Sequence, residues 1–278
     1  MLRKLIKYEF KATARIFLPL FLAMLFLALL NGLFMGPNVG GENSVITTLR
    51  SILLFVYIVV IFSLFIVTLV ITIQRFYKNL TGDEGYLMFT LPVKTSSLIC
   101  SKLIVAVIWE LFSILVTLAS VFLLFLRESR FYGEFWEGFS RFWEESRRLF
   151  GTSFEAFLWL AAASVLIAAV VSILQIYTAI AISQLFREHR ALIAIGSYFG
   201  ISIVIQIVSS MLFMTSFLSR IDGLVSSVEI TAEGAAGVAP VFELINAVMP
   251  GMMILDAVVG VAFFLVTNYI FKKRLNLE

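Results

Sequence analysis

Residues 52–73 read ILLFVYIVVIFSLFIVTLVITI, a run of apolar side chains broken only by isolated hydroxyl groups. A helix needs about 20 such residues to cross a hydrocarbon core about 30 Å thick. Five further runs of comparable length predict that the chain crosses a membrane six times. The predicted spans are 16–34, 52–73, 103–126, 156–185, 191–218 and 251–271. The sequence therefore predicts an all-α membrane protein in which residues 1–278 form a single transmembrane domain.

The composition agrees with this prediction. Apolar residues make up 61% of the chain and charged residues 14%, and the mean hydropathy is +1.02, far from the balance of soluble domains. Basic residues precede the first run, as they do in secretory signals. That run is longer than the apolar part of a signal, however, and no small-residue cleavage site follows it. We therefore expect it to be retained as a span.

The distribution of Lys and Arg predicts the orientation. With the N-terminus in the cytoplasm, six spans place the C-terminus there too, and 14 of the 21 basic residues, including every lysine, become cytoplasmic. They are Arg3, Lys4, Lys7, Lys11, Arg15, Arg75, Lys78, Lys94, Lys102, Arg187, Arg190, Lys272, Lys273 and Arg274. Membrane proteins show this bias generally. The isoelectric point near 9.0 then reflects orientation, and no nucleic-acid partner is expected.

The N-terminal segment 1–15 has the spacing of an amphipathic helix. Its apolar residues Leu2, Leu5, Ile6 and Phe10 alternate with lysines in a pattern that suits a helix on the inner leaflet. A solvated basic tail is the alternative interpretation.

Two long polar segments, 127–155 and 219–250, are predicted to be extracellular. The first carries an aromatic stripe at helical spacing on a background of Arg and Glu, which is typical of an interfacial helix. Substrate binding is the alternative for this stripe. The second is rich in Gly and Ala over 233–240 and then turns apolar. We expect a short helix there that dips into the outer interface and is broken by Pro250.

Motifs for catalysis are missing from the sequence. It contains no G-x-x-x-x-G-K-[ST] nucleotide loop, no H-E-x-x-H, no paired cysteines and no G-x-S-x-G elbow. His189 is the only histidine, and Cys100 is the only cysteine, so an intrachain disulfide is excluded. The chain is therefore predicted to be neither an enzyme nor the binder of a cofactor.

Polar residues inside the predicted spans are few. Glu110 is the only acid well within a span, and a charge at that depth costs at least about 2.5 kcal/mol. It is a candidate for a gate or an inner vestibule, or else a carboxyl that bonds to a neighbouring helix or reaches the inner headgroups. Gln175 and Gln206 are weaker candidates for the same role, since buried polar pairs also hold helices together.

The connection between the second and third spans is unusually elaborate. Residues 75–93 read RFYKNLTGDEGYLMFTLPV and combine charged, aromatic and aliphatic side chains with a Leu-Pro breaker. A connector between two helices needs only a handful of polar residues. Thr81 or Asp83 is suited to cap a short helix over 84–89, and Pro92 to end it. Such a segment is typical of a contact surface.

This string, followed by Ser101-Lys102-Leu103, resembles ABC-2-type permease subunits of Gram-positive bacterial ABC exporters. The order of segments along the chain is similar to theirs too: an amphipathic lead, six spans, a cytoplasmic coupling segment (here 75–102) and re-entrant outer helices before the last span. Segment 127–155 departs from the family, because it is longer than the short outer connection expected there.

The resemblance implies a function and partners. Permeases of this type are dimers of six-span halves, identical or paralogous, in a bacterial plasma membrane. A separate cytoplasmic ATPase that holds ATP and Mg²⁺ docks on the coupling segment, here 75–92. The residues that suit this contact are Arg75, Tyr77, Lys78, Asp83, Glu84, Tyr86, Phe89, Leu91 and Pro92. An interfacial loop without a partner is the alternative.

The cargo is expected to be amphipathic or peptide-like, given the apolar spans and the aromatic outer segment. Two other functions compete with export. An ion-coupled secondary transporter usually has several intramembrane ionisable groups or internally repeated broken helices. A non-transporting assembly or immunity factor could share the same architecture.

Overall fold

The computed structural model describes residues 2–34, 44–80, 93–125, 129–186, 188–230 and 239–273. Over these ranges the regular secondary structure is helical, with seven helices. They are α1 (Leu2–Phe34), α2 (Ser44–Leu80), α3 (Thr95–Leu124), α4 (Ser129–Phe150), α5 (Thr152–Ser183), α6 (Arg190–Ile230) and α7 (Ala239–Lys273).

Six of these helices, all except α4, are long and apolar enough to cross a membrane, which confirms the number of spans predicted. The helices are longer than the apolar runs. For example, α2 begins at Ser44 and ends at Leu80, beyond both ends of the predicted span 52–73. Backbone hydrogen bonding continues into polar flanking residues, whereas hydropathy reports only the part that suits hydrocarbon.

The chain divides into two compact units, Met1–Gly138 and Phe139–Glu278. In the first unit, α1 packs most extensively on α3, and α2 packs on both. Buried residues of all three helices form its core: Phe17, Phe21, Met24, Leu64, Ile71, Val105 and Trp109. Buried hydroxyl pairs join α2 to α3, with Tyr57 Oη 2.7 Å from Ser120 Oγ and Thr68 Oγ1 3.2 Å from Ser113 Oγ. Such pairs are common between membrane helices.

Helices α1 and α3 also approach closely near their C-terminal ends. A Cβ added at Gly32 would lie 2.2 Å from the backbone oxygen of Leu123, so no larger residue fits without a shift. Beside it, the Asn31 side chain is buried and donates to the backbone oxygens of Leu27 and Leu53, on α1 and α2. The three spans of this unit are thus in contact at both ends.

In the second unit, α5 packs most extensively on α7, and α6 packs on both. The Thr178 and Thr267 hydroxyls lie 3.0 Å apart between α5 and α7. Asn246 at the start of the α7 span donates to the backbone oxygen of Ser153. By contrast, the most apolar stretch of α6 has no residue buried within the described chain, so α6 presents a long apolar surface outward.

Two local expectations need correction. Pro250 does not break a helix, because α7 runs through it from Ala239 to Lys273. A proline inside a helix removes one backbone hydrogen bond and tends to kink the helix without ending it. Residues 1–15 do not form a helix separate from the first span either: α1 is continuous from Leu2 through Pro19 to Phe34.

The aromatic stripe of segment 127–155 is helical, as expected: α4 covers Ser129–Phe150. In the first unit, Tyr132 donates to the Phe122 backbone oxygen at 2.8 Å. In the second unit, the Trp143 ring meets the buried Phe154 edge-on at 5.5 Å. The position of α4 at a membrane surface remains a prediction.

Candidate functional site

The coupling segment predicted over 75–102 is helical at both ends. Its first residues complete α2, which ends at Leu80, and its last ones begin α3 at Thr95. The central residues 81–92 lie outside the described part of the chain. They include the predicted contacts Asp83, Glu84, Tyr86, Phe89, Leu91 and Pro92 and the expected short helix over 84–89, so those residues and that helix remain predictions.

The end of α2 has one buried side and one exposed side. Phe76, Asn79 and Leu80 are buried, whereas Tyr77 and Lys78 are exposed, Tyr77 by 42%. The helical repeat separates these two groups, because side chains three or four apart share a face. Of the predicted contacts, Tyr77 and Lys78 are therefore on the exposed side of the end of α2, and the neighbouring Arg75 is half-buried.

The start of α3 also has a well-defined first turn and buried side chains. Lys94 is its exposed N-cap residue, and its backbone oxygen accepts from the amides of Ser97 and Leu98. Leu98 and Ile99 are buried within the next turn. Residues 81–92 are therefore flanked on both sides by helix ends whose apolar faces are buried.

A buried ion pair joins α3 to the N-terminal part of α1. Lys102 Nζ lies 3.3 Å from Glu9 Oε1, and the side chains are only 3% and 11% exposed. Charges removed from water in this way persist only when paired, because each carries a large desolvation cost. The periodicity of segment 1–15 did not reveal this pair, since its two members are 93 residues apart.

A second contact lies one turn beyond Glu9 on α1 and two turns beyond Lys102 on α3. The Trp109 indole donates to Thr13 Oγ1 at 2.7 Å, and its ring stacks on Phe10 and Phe17, with centroids 4.8 and 4.6 Å away. The hydrogen bond satisfies an indole N–H that would otherwise be buried without a partner. Ile6 and Phe10, which the sequence assigned to a membrane-facing surface, pack instead against this core.

The three gate candidates have different surroundings. Glu110 is half-buried on α3 and makes no hydrogen bond or ion pair within the described ranges. Gln175 on α5 donates to Ser202 Oγ on α6 at 2.6 Å, which is the contact expected of a residue that holds two helices together. Gln206 is exposed on α6. Glu110 belongs to the first unit and the two glutamines to the second, and a gating role remains a prediction.

Metal chemistry has no candidate centre in the part of the chain that the structure describes, where no three His, Cys, Asp or Glu residues cluster. Comparison of the chain with protein-family models, curated proteins and solved structures found no match.

Proposed function

We propose that this chain is the transmembrane permease subunit of an ABC exporter of the ABC-2 type. In this proposal it lies in a bacterial plasma membrane with both termini in the cytoplasm and pairs with a second permease half. A separate ATPase docks on residues 75–92 and drives an amphipathic or peptide-like cargo outward.

The observation that carries the proposal is the packing of the two helix ends that flank residues 81–92 in the sequence. A segment that receives force from a partner must be connected rigidly to the spans, or its displacement is absorbed locally. Here the segment is preceded by the buried Phe76 and Leu80 and followed by the buried Leu98 and Ile99. Packed helix ends move as units, because close-packed interiors deform little.

The contacts of α3 indicate how such a displacement would spread. Near its start α3 is tied to α1 by Lys102 and Glu9, and two turns further along by Trp109 and Thr13. When the ATPase moves residues 81–92, the start of α3 moves, and α1 follows it. Exposed Tyr77 and Lys78 contribute an aromatic and a cationic contact at the rim of the docking surface.

The proposal assigns all nucleotide chemistry to the partner. This chain has no phosphate-binding loop motif, so ATP and Mg²⁺ belong to the ATPase subunit, and the permease contributes contact and movement.

Co-purification tests the proposal. An affinity-tagged chain extracted gently from its native membrane should bring down a protein with a G-x-x-x-x-G-K-[ST] motif, together with ATP hydrolysis. In vesicles, hydrolysis should rise when a cargo is added. A non-transporting factor would bring down the ATPase without cargo-stimulated hydrolysis, and an ion-coupled transporter would bring down no ATPase.

A further inference from the structure

The N-terminal half of α1 carries five basic residues and one acid: Arg3, Lys4, Lys7, Lys11, Arg15 and Glu9. The basic residues recur at three- and four-residue intervals, so they line one face of the helix. All five are exposed, and none makes an ion pair with a described residue.

The single acid does not offset this charge. Glu9 lies on the opposite face of α1, where it pairs with Lys102 and is 11% exposed. Phe10, Thr13 and Phe17 continue that face into the core. Because α3 covers the apolar face of the segment and pairs with its acid, every charged residue on the outward face is basic.

The same outward face continues along the span as a lipid-compatible surface. Leu18, Leu22 and Phe26 follow Arg15 at helical spacing and are exposed, Leu22 by 67%. The face thus changes from apolar to basic near Arg15. A lipid changes over a similar boundary, from apolar acyl chains to a polar headgroup.

We propose that the outward face of α1 around Arg15, Lys11 and Lys7 is a binding site for anionic phospholipid. The acyl chains lie against Leu18, Leu22 and Phe26, and the headgroup phosphates bind the basic side chains. A helix rises about 1.5 Å per residue, which puts Lys11 about 6 Å and Lys7 about 12 Å beyond Arg15. The headgroup layer is about 5–8 Å deep, and long basic side chains reach back toward it.

This lipid-binding proposal does not depend on the proposed export function. It requires only that α1 crosses the membrane, and it replaces the expectation that the segment lies flat on the leaflet through its apolar face. That face contacts α3, and lipid is instead recognised by charge. Clusters of Lys and Arg beside a span attract anionic lipids in this way, each contributing on the order of 1 kcal/mol, or about fivefold in affinity.

The test is a titration of the purified full-length chain in detergent with phosphatidylglycerol or phosphatidylcholine, followed by native mass spectrometry. The wild type should bind phosphatidylglycerol more tightly than phosphatidylcholine. K7Q/K11Q/R15Q should reduce that preference at least about tenfold. The charge-preserving K7R/K11R/R15K should retain it, and so should R141Q/R147Q/R148Q, which removes three exposed charges from α4.

Thermal unfolding in detergent shows whether each variant is folded. If the triple variant is not, K7Q and K11Q are measured singly, and each should lower the preference about fivefold. Three results would overturn the proposal: equal binding of both lipids by the wild type, an undiminished preference in K7Q/K11Q/R15Q, or an equal loss in the α4 control.

Discussion

Lys102 Nζ on α3 lies 3.3 Å from Glu9 Oε1 on α1, and both side chains are almost completely removed from solvent. The pair connects the end of the predicted coupling segment to the N-terminal segment of the chain. It therefore links two charged segments that are separated by 93 positions in the sequence.

Removing one partner of this pair should destabilise the protein. Lys102→Met leaves the Glu9 carboxylate buried without its cation and should cost about 3 kcal/mol, measured as a lower unfolding midpoint in detergent. Glu9→Gln/Lys102→Met should recover most of that loss, because no unpaired charge remains. Lys272→Met, at an exposed position, is the control and should have little effect. Losses that simply add in the double variant would contradict the pairing.

The Trp109–Thr13 hydrogen bond gives a second prediction. Thr13→Val has nearly the same shape but cannot accept from the indole, and it should cost about 1–3 kcal/mol because the N–H is buried. Thr13→Ser keeps the hydroxyl and should lie closer to the wild type. The comparison is made by thermal unfolding in one detergent, and equal midpoints for Val and Ser would show that the hydrogen bond does not stabilise the protein.

Gly32 provides a matched pair of glycine substitutions. Gly32→Ala forces a methyl group against the Leu123 backbone, and overpacking of this kind costs about 1–3 kcal/mol. Gly200→Ala meets nothing within 4 Å and should be neutral or slightly stabilising, since alanine favours helix. An unfolding midpoint for Gly32→Ala at or above that of Gly200→Ala would rule out the close approach of α1 and α3.

Substitutions of the two glutamines should differ in their effect on stability, because the two side chains have different surroundings. Gln175→Leu loses the bond to Ser202 and should cost about 0.6 kcal/mol, whereas Gln206→Leu, at an exposed site, should leave the unfolding midpoint unchanged. Ser202→Ala added to Gln175→Leu should have little further effect. Additive losses would indicate that the two side chains act separately.

Glu110 is tested by transport. If its carboxyl lines a gate or vestibule, Glu110→Gln should slow cargo movement in vesicles while the protein remains folded. Unchanged transport in that variant would remove Glu110 from the pathway.

The sequence was sufficient to predict the six spans, because crossing hydrocarbon is a local property of about 20 consecutive residues. It did not predict what the apolar face of segment 1–15 contacts. Ile6 and Phe10 have the same periodicity whether they face lipid or α3, and only the distant Lys102 and Trp109 decide between the two. Pro250 was misjudged as well: local propensity favours a break there, yet α7 continues through it and packs on α5.

The most direct test of the proposed function uses residues 81–92. Glu84→Ala/Tyr86→Ala is introduced into the tagged chain, and ATP hydrolysis and cargo transport are measured in the same vesicles with the co-purified ATPase. The account predicts normal expression and folding, with hydrolysis no longer coupled to transport, while Tyr8→Ala, at an exposed position on α1, stays coupled. Normal coupling in Glu84→Ala/Tyr86→Ala, or the absence of any ATPase from the wild-type preparation, would contradict it.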